Sequence, residues 1–176
     1  MARPGCSDGK TEGNQTYNMS RNESVIDVIK VRNDAIAVYD SDSATDGYKK
    51  IASVAVAVAE MIVELLPEAE VQYMVKPSRL SHDADKDALP IHFLFSKGGR
   101  PILAVVVVTS NGYNAPRVLI TKSLCENSGI RYLRVYADGY YGDWIDGYGP
   151  DGCRVKLSKA GFVKKWFADS VKKYLS

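Results

Sequence analysis

The run Ile102-Leu103-Ala104-Val105-Val106-Val107-Val108 carries no polar side chain. Extended backbone sends successive side chains to opposite faces. A strand built from this segment therefore shows apolar groups on both faces, and it is stable only inside a sheet that is covered on each side. The chain must form a layered structure of helices on a sheet, with this segment near the centre. At 176 residues and 45% apolar content, it is long enough to bury such a core without disulfide staples.

The rest of the sequence supplies the layers. Ile51, Val54, Ala55, Val58, Met61, Ile62 and Leu65 recur at helical spacing and predict a helix over 44–66, ended by Pro67. Val71 to Val75 reads as a strand closed by Pro77, and Ser78 to Ala88 as a polar loop. Ile91 to Phe95 is a second strand, joined through the tight turn Ser96-Lys97-Gly98-Gly99-Arg100 to the third, Ile102 to Val108. Residues 114–127 predict a helix with Gly129 just past its end. Ile130 to Tyr136 is a fourth strand, most simply placed beside the third in a mixed sheet. Residues 137–152 read as a loop, and 158–175 as a last helix capped by Ser158.

Ahead of this core, residues 1–20 are rich in Gly, Ser, Asn and Thr and are expected to form a flexible tail. Residues 24–39 hold β-branched runs around Arg32-Asn33-Asp34, which predicts a β-hairpin; a short helix over 22–32 is the alternative. The expected fold is α+β or α/β: one domain over 21–176, a four-stranded mixed sheet in αβββαβ order, an extra N-terminal hairpin and a C-terminal helix.

The net charge of +2 hides segregation. Residues 76–135 carry nine basic and four acidic side chains, and residues 153–176 seven and one, whereas 136–152 carry four Asp and no cation. The C-terminal half can therefore present basic patches despite the mild total. The longest largely apolar stretch, Ile51 to Ala59 with Ser53 inside it, falls short of the roughly 20 residues that a membrane span needs. No basic-then-apolar leader opens the chain, and Cys6, Cys125 and Cys153 are odd in number and far apart. These features lead to the expectation of a cytoplasmic protein with reduced thiols, no membrane contact and no cofactor.

The order of elements resembles the PD-(D/E)XK, or restriction-endonuclease-like, superfamily. The likeness lies in Ile91-His92-Phe93-Leu94-Phe95, the basic glycine turn into Pro101-Ile102-Leu103-Ala104-Val105, and the helix end and strand Asn127-Ser128-Gly129-Ile130-Arg131-Tyr132-Leu133-Arg134-Val135. It covers roughly residues 45–136. The resemblance implies a nuclease-like domain whose second strand offers an Asp and whose third offers an acidic pair or an acid and a lysine, holding Mg²⁺ for phosphoryl chemistry. At those positions this sequence has His92, Val106 and Val108. Valine neither binds a hard cation nor takes a proton, so the resemblance implies a degenerate member with a dead site.

Other constellations bear on binding. His82-Asp83-Ala84-Asp85-Lys86-Asp87 could bring Asp83, Asp85 and Asp87 to a metal, although it lacks the turn glycine and distal Glu of a calcium loop; a solvated loop is the plainer reading. Tyr140, Tyr141, Trp144 and Tyr148 share a glycine-rich loop with Asp143 and Asp146. Such aromatics suit a protein interface, and the acids would repel phosphate; the plainer reading folds them onto the core. The last helix sets Lys164, Lys165, Lys172 and Lys173 near the face opposite Phe162, Val163, Trp166, Phe167 and Val171. Those lysines either solubilise the helix or track a phosphate backbone.

The expected function is a non-catalytic binding module on a nuclease-like scaffold. It would act on a nucleic acid or on a protein that processes one, the acidic aromatic loop favouring a protein partner. A phage-type, anti-CRISPR-like inhibitor of a host defence nuclease is one form of this. The alternative is an active metal-dependent nuclease whose acids have moved to Asp83, Asp85 and Asp87. Oligomeric state is not legible in the sequence.

Overall fold

The computed structural model describes residues 26–112, 114–137, 141–142, 155–156 and 160–176, with backbone alone for 141–142, 155–156 and 160–166. The expected tail at 1–20 lies outside them. Helices α1 (Val28–Asp40) and α2 (Asp46–Leu65) precede strands β1 (Glu70–Val75), β2 (Ile91–Lys97) and β3 (Arg100–Val108); helix α3 (Pro116–Asn127) and strand β4 (Arg131–Tyr136) follow. Two short strands, β5 (Tyr141–Gly142) and β6 (Val155–Lys156), and helix α4 (Ala160–Leu175) complete the chain.

The strands lie in sequence order in one sheet. β1, β2 and β3 are antiparallel, whereas β3 and β4 run parallel, with Leu103 opposite Arg131 and Val106 opposite Arg134. The four-stranded mixed core thus stands as the sequence predicts. β5 and β6 extend it from within and beyond the stretch read as a loop.

The all-apolar strand lies between two cores. Leu103, Val105 and Val107 join Phe93 and Phe95 against α2 and α4, where Val54, Val58, Phe167 and Val171 meet them. Ala104, Val106 and Val108 face the other way, among Leu94, Tyr132, Tyr136 and the α3 residues Val118 and Cys125. Burial on this scale, at about 25 cal/mol per Å² of apolar surface, is what holds the layers together.

The hairpin expected over 24–39 is instead helix α1. The Asp27 side chain caps it, accepting from the Lys30 N–H at 3.1 Å. Its buried residues, Val31 and Ala35, are four apart, which is helical spacing. The supposed turn residues make tertiary bonds from the middle of the helix. Arg32 pairs with Glu60 of α2 at 2.6 Å, and the Tyr73 hydroxyl of β1 donates to Asp34 at 3.0 Å. Burial and that carboxylate push the Tyr73 phenol well above its usual range.

Two turns are built as their glycines require. Gly98 and Gly99 both have positive φ, 59° and 79°, between the paired Lys97 and Arg100. That is the two-residue hairpin turn whose twist matches its strands. After α3, Gly129 has φ 76°; its N–H donates to Glu126 O at 3.1 Å and that of Ile130 to Cys125 O at 2.8 Å. This pairing closes the helix end.

Candidate functional site

The position where a nuclease-like sheet would carry chemistry is the end at which β2 and β3 part. Pairing of these strands runs from Lys97↔Arg100 to Phe93↔Val105, with a bulge between Phe95 and Ser96. One residue further, the His92 ring takes over from the backbone: its Nδ1 accepts the Val107 N–H at 3.1 Å. With Nδ1 accepting, the neutral ring carries its proton on Nε2. Burial holds its pKa down to about 4, so the ring is uncharged at neutral pH.

The opposite flank of His92 is irregular as well. Pairing of β1 with β2 runs through Tyr73↔Phe93 and Val75↔Ile91 and skips the pair between them, Met74 with His92. Met74 has φ 53°, a left-handed conformation that costs a side chain roughly 1 kcal/mol or more. The consequence is a change of face. Val71 and Tyr73 belong to the first core, whereas Val75 and Ile91 belong to the second.

Val106 is fully buried and Val108 3% exposed. Beside Val106, its register partner Arg134 is buried at 7% exposure, donates to Asn114 Oδ1 at 3.4 Å and lies 6.0 Å from the Tyr132 ring. His92, Val106 and Val108 thus lie at the same end of β2 and β3. The group in register with Val106 is a cation where the resemblance implies a metal held by carboxylates. Arg131 and Arg134 are three apart and so take opposite faces of the strand, but which of the two is buried is set by the register.

The acidic loop is shaped by its own backbone. Asp85 Oδ1 accepts the Asp87 N–H at 2.7 Å, the Asp83 N–H donates to Ser81 Oγ at 3.2 Å, and Asp87 O accepts from Arg117 Nε at 2.7 Å. Among the described residues, no group of three or more His, Cys, Asp or Glu side chains is placed to share a metal ion. The Cys125 thiol is buried and pushed up to about 12 by that burial and by Glu126, so it is no nucleophile.

Of the binding candidates, Tyr140, Asp143, Trp144, Asp146 and Tyr148 lie outside the described residues, and Tyr141 is described only as backbone of β5. Lys164 and Lys165 fall on α4 in the part described by backbone alone. Lys172 and Lys173 are exposed on the last turns of that helix. Lys172 shares the walls of a hollow of about 350 Å³ with Lys97, Ser96, Leu65 and Leu175. A second hollow of about 300 Å³ is lined by Glu70, Gln72, Arg79 and Leu94. Among the described residues, no helix is long and apolar enough to cross a membrane. No protein-family model, curated protein or solved structure matches the chain.

Proposed function

We propose that the chain is a non-catalytic binding module on a nuclease-like scaffold, gripping a nucleic acid or a protein that acts on one. The observation that carries this reading is the filling of the forked end of the sheet. Val106 and Val108 are buried core, and the lone pair of His92 Nδ1 is taken up by the Val107 N–H. Hard divalent cations need oxygen ligands, and these side chains offer none. The buried Arg134 guanidinium in register with Val106 would further repel a cation.

With no nucleophile-activating set at the fork, function falls to surfaces. The test is incubation of the full chain with supercoiled plasmid and Mg²⁺ or Mn²⁺. Intact plasmid is expected. Nicking that EDTA abolishes, and that His92→Ala or Asp83→Asn also abolishes, overturns the reading in favour of a nuclease with relocated acids.

A further inference from the structure

We propose that the end of the sheet at the Lys97–Arg100 turn, opposite the forked end, is a docking surface for the phosphate backbone of duplex DNA. Three separate parts of the chain bring cations to this end. Lys97 and Arg100 flank the turn as a cross-strand pair. Arg131 opens β4, in register with Leu103 near the start of β3. Lys172 and Lys173 come from the last turns of α4. All five are exposed.

Contacts fix these segments to one another. Lys97 Nζ donates to the Ser176 backbone oxygen at 2.9 Å, and Lys97 and Lys172 line the same hollow. The Arg131 guanidinium carbon lies 5.1 Å from the centre of the Tyr174 ring. Lys97 and Arg131 are thus held on a frame of sheet and helix, which lowers the ordering cost of binding.

The acidic groups at this end offset part of that charge. Glu70 spends both carboxylate oxygens on the turn, accepting the Gly98 and Gly99 N–H groups at 3.2 and 2.9 Å. Glu68 lines the same hollow as Lys97 and Lys172, and Asp169 lies one turn back on α4. Five cations against these three carboxylates leave an excess of two positive charges among the named side chains, to which a polyanion is the complementary partner.

Duplex is favoured over single strand by the state of Tyr174, an aromatic among the described residues at this end. Single-strand binders offer open rings on which bases stack, and Tyr174 already has Arg131 against its face. What remains on offer is charge, which suits the dense phosphates of a duplex.

The proposal rests on the binding-module reading only in assigning this end no chemistry. It is tested by fluorescence anisotropy of the full chain with a labelled DNA duplex, across about 50 to 300 mM salt, beside the single strand. Arg100→Glu with Lys172→Glu is the informative variant, since neither side chain supports a described contact. Lys49→Glu, on the first turn of α2 at the opposite end of that helix, is the control. The duplex is expected to bind more tightly than the single strand. Losing two phosphate contacts should flatten the slope of log affinity against log salt by about 1.8 and weaken binding about tenfold or more at the lowest salt. The control should follow the wild type.

No salt-dependent duplex binding, equal or tighter binding of the single strand, or equal losses in variant and control overturns the proposal. In that event an intact plasmid leaves the binding-module reading standing with a protein partner. Conversely, plasmid nicking alongside the expected slope change removes that reading and leaves the DNA surface in place.

Discussion

His92 Nδ1 accepts the backbone N–H of Val107 at 3.1 Å, so a side chain completes the strand pairing where β2 and β3 separate. A protonated imidazole has no acceptor nitrogen. The bond therefore exists only while the ring is neutral, and the fold and the ring's protonation state are linked.

That linkage has a sign. The folded ring titrates near 4, below its ordinary 6.5. A depressed folded value gives stability that is complete above about pH 6.5 and is lost as pH falls toward 4, because the unfolded chain takes up the proton first. At about 1.4 kcal/mol per pH unit, the loss between pH 7.5 and 5 is up to about 2 kcal/mol. The residue keeps some solvent exposure, which makes this an upper figure. Urea unfolding of the wild type and of His92→Gln at both pH values measures it. The wild type should lose more on acidification than the variant; equal losses would show that the ring titrates freely.

Val106→Glu tests the core assignment of β3. The wild-type side chain is fully buried and in register with Arg134. A carboxylate there must be desolvated, protonated or paired with that guanidinium in a space shaped for valine. The net cost should be about 3 kcal/mol or more, even with partial pairing. Val106→Ala leaves a cavity without a charge and should cost less, about 1 to 3 kcal/mol. Thermal unfolding orders the two, and a glutamate variant that melts with the wild type would place this face in solvent.

Much of this frame was legible because burial imposes a period. Seven apolar residues in a row at 102–108 require two covered faces, and Ala104 and Leu103 do lie in separate cores. The segment 24–39 was misread because its β-branched residues favour strands and Arg32-Asn33-Asp34 resembles a turn. Arg32 and Asp34 are held by Glu60 and Tyr73, partners distant in sequence that local propensity cannot see. At the candidate site, His92, Val106 and Val108 could be aligned from the sequence, but His92's bond to backbone and the burial of Arg134 arise only from strand register. The basic end was half legible: the lysines of α4 stood out, while their neighbours Lys97, Arg100 and Arg131 come together through the sheet's connectivity.

Met74 is the described non-glycine residue with positive φ, at 53°. Asn and Gly adopt that region most readily, and β-branched residues least. The Met74 side chain is 42% exposed, so little packing is lost when it is replaced. Met74→Asn should be neutral or should stabilise by up to about 1 kcal/mol, while Met74→Val should cost about 1 to 2 kcal/mol despite valine's preference for strands. Chemical denaturation distinguishes these signs. A stabilising valine would mean that β1 is regular through this position and that Val75 need not turn to the second core.

Glu70 links the first strand to the turn between the next two. Its carboxylate oxygens accept the Gly98 and Gly99 N–H groups, so β1 holds the loop that separates Lys97 from Arg100. Both glycines already suit the turn by their positive φ, and the turn geometry should survive without the carboxylate. What should change is its stability. Charge-assisted bonds to backbone are worth more than neutral ones, but these are solvent-exposed, so Glu70→Ala should cost about 1 to 2 kcal/mol in all. Glu70→Gln retains an acceptor oxygen for one N–H and turns an amide donor toward the other, so its cost should be similar in sign and no smaller than half. Amide hydrogen exchange gives the local readout. Gly98 and Gly99 should exchange faster in both variants, while amides in the middle of β3, such as Val105, change only with global stability. If the glycine amides keep wild-type protection in Glu70→Ala, the turn is held by its own backbone and the carboxylate is incidental to it.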